Sequence, residues 1–295
     1  MAMRVVWSLA AAANTLRTGW QYRGHRPFVL VHQMARVGSK SIRQALRLHA
    51  PDVHSFHTHY LDPRTIAEHR ALFQRLYRSS GHPGMYREHH QAEFLARRLR
   101  NGTARDWKVI TLVRDPIART VSAFFRHFPL HHPELGEAFR DDPTNAPALV
   151  ELFEDPDHPE HAFALKWFER EVQDVFGVDV YGTPFSLGAR HALHVCAAGE
   201  VLVLRTEDLR EHGGSVLSRF LDRPTLTLPH VNKSSELRYA ETFLRFSRLF
   251  RPSPDYLKRM YDSRLTRHFY SDEEIEGFRR RWTSGNERGQ EQARG

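Results

Sequence analysis

Val109-Ile-Thr-Leu-Val113 runs directly into Arg114-Asp-Pro116, and Ser122 follows eight residues after Arg114. An apolar, β-branched run that ends in Arg-Asp-Pro reads as a buried strand breaking into a loop. Pro116 has a fixed φ and no N–H to lose, which suits the first turn of a helix. That helix is expected over residues 117–128 and carries Arg119, Ser122 and Arg126. An arginine at a strand's C-terminal edge, with a hydroxyl two turns into the next helix, suits the holding of a phosphate.

Working outward, Phe28-Val-Leu-Val31 reads as the first buried strand and Val201-Leu-Val-Leu204, ending in Arg205-Thr-Glu-Asp-Leu209, as a third. Ile42, Ala45, Leu46 and Leu48 recur at helical spacing after the first strand. Residues 62–106 read as helical and basic, with a break at 81–84. Residues 163–176 read as an amphipathic helix whose Trp167 and Phe168 belong to the core or line an acceptor groove. The chain after Gly214 reads as helical, interrupted at 222–235 by a loop containing His230-Val-Asn-Lys-Ser234. Strands alternating with helices imply one α/β domain, over residues 27–283, with a central parallel sheet covered on both faces. Residues 1–26 are expected to form an N-terminal helical extension and 284–295 a flexible tail.

The chain's 295 residues are 40% hydrophobic, enough for a large packed core. Its net charge of +8 favours anionic partners, although the same excess also serves solubility. The charge is segmented. Residues 97–126 hold eight basic side chains against two acidic ones, whereas 130–162 hold nine acidic ones against Arg140. This second stretch, with five prolines and four histidines, reads as a surface insertion or lid over the site rather than as core. Nucleic-acid binding is disfavoured, because the basic run at 97–119 has no interleaved series of aromatic residues. Cys196 is the single cysteine, so no intrachain disulfide forms, a reducing cytoplasmic setting is expected, and the thiol itself is expected to be buried. The segment from Met1 to Ala13 mimics a weak signal peptide and reads as a surface or interfacial helix, which allows peripheral membrane contact.

The second anion-binding candidate is His32-Gln-Met-Ala-Arg-Val-Gly-Ser-Lys-Ser-Ile42, between the first strand and its helix. Loop N–H groups and the helix N-terminus can cradle an anion there. Gly38 permits close backbone approach, Ser39 and Ser41 bring hydroxyls, and Arg36 and Lys40 bring charge. The segment fails the nucleotide P-loop pattern, because no Gly-Lys pair is present and no glycine stands five positions before Gly38. An ordinary strand-to-helix turn would give the same local pattern. A third cluster, His54-Ser-Phe-His57-Thr-His59-Tyr-Leu-Asp62, places His57 and His59 on one face if extended. A metal site there lacks a completing acid or cysteine, and some of the chain's 20 histidines are expected simply to lie at the surface.

Together these segments resemble the sulfotransferases that use 3′-phosphoadenosine 5′-phosphosulfate (PAPS). Arg36-Val-Gly-Ser-Lys40 is similar to that family's 5′-phosphosulfate loop, and Arg114 with Ser122 to its 3′-phosphate pair. Gln33-Met-Ala-Arg-Val-Gly-Ser39, a later Trp167-Phe-x-x-Glu171 and Phe176-Gly-Val-Asp-Val-Tyr181 are similar to bacterial members assigned to capsular polysaccharide synthesis. The resemblance implies a three-layer α/β sandwich with a P-loop-like phosphate loop. It also implies sulfuryl transfer from PAPS to a carbohydrate or other hydroxyl-bearing acceptor, leaving adenosine 3′,5′-bisphosphate, with no metal required. Arg36, Val37, Gly38, Ser39, Lys40 and Ser41 would hold the 5′-phosphosulfate, Arg114 and Ser122 the 3′-phosphate, and Asn232 and Lys233 the 3′-phosphate and adenine. The family's loop lysine is Arg36 here, and Lys40 replaces a hydroxyl residue, so either supplies the catalytic cation. A histidine, His57 ahead of His59, would deprotonate the acceptor. The alternative is a non-catalytic relative that binds a nucleotide or anionic glycan.

Overall fold

The computed structural model describes residues 28–53, 55–77, 84–224, 226–229 and 237–283, with residues 13, 16–20 and 22 ahead of them. His54, His230, Asn232, Lys233, Ser234, most of the N-terminal extension and the whole tail lie outside the described residues. Five strands form one sheet: β1 (Phe28–His32), β2 (Ser55–Thr58), β3 (Trp107–Val113), β4 (His191–Cys196) and β5 (Gly199–Arg205). Their order is β2-β1-β3-β5-β4. The apolar runs read from the sequence are the central strands, and every residue of β1 is buried, so helices cover the sheet on both faces.

The sheet is not wholly parallel. β4 pairs antiparallel with β5, from His191 opposite Leu204 to Cys196 opposite Gly199. As an edge strand it leaves Leu193 and Val195 exposed and Cys196 only half-buried, not buried as expected. The other pairings are parallel and run in step, with Val31 opposite both His57 and Ile110, and Val113 opposite Arg205. The C-terminal ends of β1, β2, β3 and β5 therefore meet at one edge. The chain turns to opposite sides of β1 for β2 and β3, so that edge holds the sheet's topological switch point, where α/β proteins bind ligands.

Helix α1 (Ser39–His49) follows β1, and α2 (Pro63–Tyr77) and α3 (Gly84–Arg100) lie between β2 and β3. Helix α4 (Pro116–His131) starts where Asp115 caps it, its carboxylate accepting from the N–H groups of Ile117 at 3.0 Å and Ala118 at 3.4 Å. It continues three residues beyond the expected end, through Pro129. Pro129 has no N–H for the carbonyl of Phe125, and Arg140 Nη1 donates to that oxygen instead at 3.3 Å. His131 is thereby carried one turn above His127.

The stretch 130–162 is not a loose lid. It folds into α5 (Gly136–Asp141), α6 (Ala146–Glu154) and the start of α7 (Pro159–Phe168), and Pro147 and Pro159 stand in the first turns of α6 and α7. Phe153 of α6 is fully buried, its ring 5.2 Å from Phe124 and 4.9 Å from Phe250. Trp167 and Phe168 are core residues. The chain continues from α7 through a π-helical turn, Glu169–Gln173, to a last turn, Asp174–Phe176. After β5 come α8 (Gly214–Phe220), α9 (Ala240–Leu249), α10 (Pro254–Tyr261), α11 (Arg264–Phe269) and α12 (Asp272–Thr283). Among the described residues no helix is long and apolar enough to cross a membrane. If α6 is core, Phe153→Ala should cost about 3–5 kcal/mol of stability, read as a lowered urea midpoint. A change within about 0.5 kcal/mol would return the segment to the surface.

Candidate functional site

The loop from Gln33 to Gly38 leaves β1 at the switch-point edge, and its backbone carbonyls are held from four directions. His59 Nδ1 donates to Gln33 O at 2.8 Å, Arg119 Nε to Ala35 O at 3.2 Å and Arg114 Nη1 to Arg36 O at 2.9 Å. Thr206 Oγ1 lies 2.6 Å from Val37 O and 3.0 Å from Val113 O, tying the loop to the ends of β3 and β5. Because a trans peptide points its N–H away from its C=O, holding these carbonyls also fixes the direction of the N–H groups that follow them. Gly38 has φ +102°, a conformation that favours glycine, and a Cβ there would crowd Leu209 at 3.3 Å. No side chain among the described residues caps α1, so its N-terminus faces the same loop uncovered.

The two predicted phosphate sites meet in one contact. Arg36, itself at φ +73°, donates from Nε to Ser122 Oγ at 2.8 Å. The chain Arg114–Arg36–Ser122 thus joins the end of β3, the loop and α4. Burial holds the Arg36 guanidinium below the usual arginine range. Tyr239 works against that shift, and the charges of Arg114, Arg126 and Arg119 add to it. Among the described residues no carboxylate forms an ion pair with Arg36 or Arg114. Lys40 is exposed in the first turn of α1, between half-buried Ser39 and Ser41, and Val37 is buried.

Arg119 is not a solvated helix charge. It is 1% exposed and its Nη1 pairs with Glu160 Oε2 at 2.8 Å, while its Nε steadies the loop. Glu160 also accepts from His127 Nδ1 at 2.5 Å. Burial alone would raise the Glu160 pKa, but Arg119 and His127 hold it well below the carboxylate range. This pair was hidden in the sequence, because 41 residues separate its members.

His57 and His59 do share a face, with ring centroids 4.6 Å apart. Burial pushes both below the usual imidazole range, His59 to about 4, with the Gln33 carbonyl acting in the opposite direction. His57 Nε2 is buried without a hydrogen-bond partner among the described residues, and Gln91 Nε2 donates to the His57 carbonyl at 2.7 Å. The turn that carries His59 is fixed by Glu171, whose Oε2 accepts from the N–H groups of Leu61 at 2.6 Å and Asp62 at 3.0 Å. Glu171 sits in the π-helical turn after α7, an irregularity frequent at functional sites. It is the glutamate of the Trp-Phe-x-x-Glu motif. Searches of protein-family models, curated proteins and solved structures find no match to this chain.

Burial also lowers His69 to about 3 and His89 to about 4, and Nδ1 of one lies 3.0 Å from Nε2 of the other. These imidazoles refuse protons that the unfolded chain accepts below about pH 6.5. Stability present above pH 6.5 should therefore be lost as the pH falls towards 4. Buried Asp115 and Glu207, whose carboxyl pKa values burial raises, oppose this with fewer groups. The urea midpoint is expected to fall between pH 7 and pH 5, and a rise would contradict it.

Proposed function

We propose that this chain transfers a sulfuryl group from PAPS to a hydroxyl of a carbohydrate acceptor, using a P-loop-like loop at the switch point of the sheet. The observation that carries this reading is the Arg114–Arg36–Ser122 chain. It is a cationic cluster in which neither arginine forms an ion pair among the described residues, although the charges of Asp115 and Glu207 reach Arg114. It stands beside a helix N-terminus without a side-chain cap. Such a cluster favours an anion. Glycine at 38 lets the loop reach its left-handed turn against Leu209, Thr206 and Leu112, which sets where α1 begins.

PAPS, when bound, supplies the activated sulfuryl group. The chain's own residues bind, orient and move one proton. With Nε committed to Ser122, Arg36 offers its two terminal nitrogens to anionic oxygens. Arginine keeps its charge even where burial lowers its pKa, so Arg36 is a fixed charge rather than a proton donor, a role left to the ammonium of Lys40. Arg114 and Ser122 supply the contacts for the 3′-phosphate. His59 is the better-placed base. Its Nδ1–H is held on Gln33 O, so its Nε2 carries the lone pair, and burial keeps the ring neutral at physiological pH. His57 has no such tether in the loop.

The second reading is binding without turnover, favoured by arginine at position 36, which cannot donate a proton to a leaving oxygen. Two measurements decide between them. In calorimetry, adenosine 3′,5′-bisphosphate should bind wild type, and Arg114→Ala should bind it at least tenfold more weakly. Absence of binding by wild type, or equal binding by the variant, would sink the cofactor assignment. With sulfur-labelled PAPS and capsular polysaccharide fractions, wild type should transfer label. His59→Ala should lose about a hundredfold or more in rate, well beyond the weaker bisphosphate binding that loss of its bond to Gln33 O brings. Binding without any transfer would establish the non-catalytic reading.

A further inference from the structure

The extension of α4 through Pro129 has a chemical result on the far side of Arg119 from the phosphate loop. His127 and His131 stand four residues apart on one helix face, and that face meets the first turn of α7, where Glu160 is buried. His127 Nδ1, His131 Nε2 and a Glu160 carboxylate oxygen all lie within 4.8 Å of one another. We propose that His127, His131 and Glu160 bind a divalent cation of the zinc class.

Several donors converge on this one carboxylate. Glu160 Oε2 is already paired with buried Arg119 at 2.8 Å, which neutralises its charge. Its Oε1 nevertheless faces two imidazoles, His127 Nδ1 at 2.5 Å and His131 Nε2 at 3.5 Å. A hydrogen-bonded histidine–carboxylate pair needs only the first of these. The second makes the donor set of two imidazoles and one carboxylate that holds zinc while leaving a coordination position open. Arg119, on the other oxygen, is the partner that fixes the carboxylate's orientation.

The approach is also provided for. The side chains of His127 and His131 are 18% and 15% exposed, whereas Glu160 lies behind them at 6%, so an ion enters past the imidazoles. Two ligands of one zinc ion stand about 3 Å apart, so His127 and Glu160 must separate slightly as the ion enters. His127 then gives up the Nδ1 hydrogen it donates to Glu160, the neutral ring keeping its proton on Nε2. The open position then takes water or an oxygen of a bound molecule. Among the described residues none of these three ligands is hydrogen-bonded to the phosphate loop, and cation binding does not require sulfuryl transfer.

The test uses the full chain stripped with a chelator and titrated with Zn²⁺ alone against a chromogenic competitor. Wild type should take up one equivalent that the competitor removes only slowly or in excess, and its thermal midpoint should rise with Zn²⁺ concentration. His131→Ala should bind at least tenfold more weakly and lose that rise while keeping its zinc-free midpoint. His131 lies outside the Arg119–Glu160 pair, so its loss leaves that pair intact. His127→Ala should weaken binding similarly. Absence of stoichiometric uptake by wild type would overturn the site, as would unchanged affinity in both variants, which would assign the zinc to other histidines. Loss in His127→Ala with none in His131→Ala would also overturn it.

Discussion

Everything at the functional edge depends on the direction of four carbonyl groups. The oxygens of Gln33, Ala35, Arg36 and Val37 accept hydrogen bonds from His59, Arg119, Arg114 and Thr206, which come from four separate parts of the fold. A buried carbonyl left without a donor costs about 1–3 kcal/mol, so the loop cannot turn over without losing several such bonds together. The ends of β1, β2, β3 and β5 are in this way tied through the backbone of one short segment. The N–H of Gln33, donated to Thr58 O at 3.3 Å, adds a further tie to β2.

This arrangement also accounts for the irregular backbone around it. A non-glycine residue at positive φ, such as Arg36, costs about 1–3 kcal/mol and persists only where its surroundings over-determine it. Here the side chain is held by Ser122 and the carbonyl by Arg114, so the residue is fixed at both ends. The π-helical turn has a similar logic. It brings Glu171 onto two N–H groups of the turn after β2, and that turn carries His59 to the loop. Local irregularity is concentrated where the pieces must be held in register.

The strands β1, β3 and β5 were legible because buried parallel strands are continuous apolar runs. β4 was not, because an edge strand with half-exposed residues lacks that pattern, and its direction depends on a short turn to β5. The stretch 130–162 misled for a different reason. Prolines and acids mark loops on average, but Pro147 and Pro159 stand in the first turns of helices, where a missing N–H is harmless. At the candidate site, Arg36, Gly38, Arg114 and Ser122 could be found by spacing, since each lies at a strand end or on the next helix. The pairs Arg119–Glu160 and His32–Glu171 could not, since 41 and 139 residues separate them and only the folded chain brings them together.

The contact between Arg36 and Ser122 reaches across 86 residues of sequence. Lysine at position 36 would keep the charge but lose the Nε donor, leaving the Ser122 hydroxyl to find another partner and the left-handed loop residue with one restraint fewer. Alanine at position 122 would free the guanidinium to swing. Each change alone removes the same restraint, so the two positions are coupled through one contact. In descendants of this sequence, arginine and serine should persist together or be replaced together, as a single inherited unit split between two distant codons.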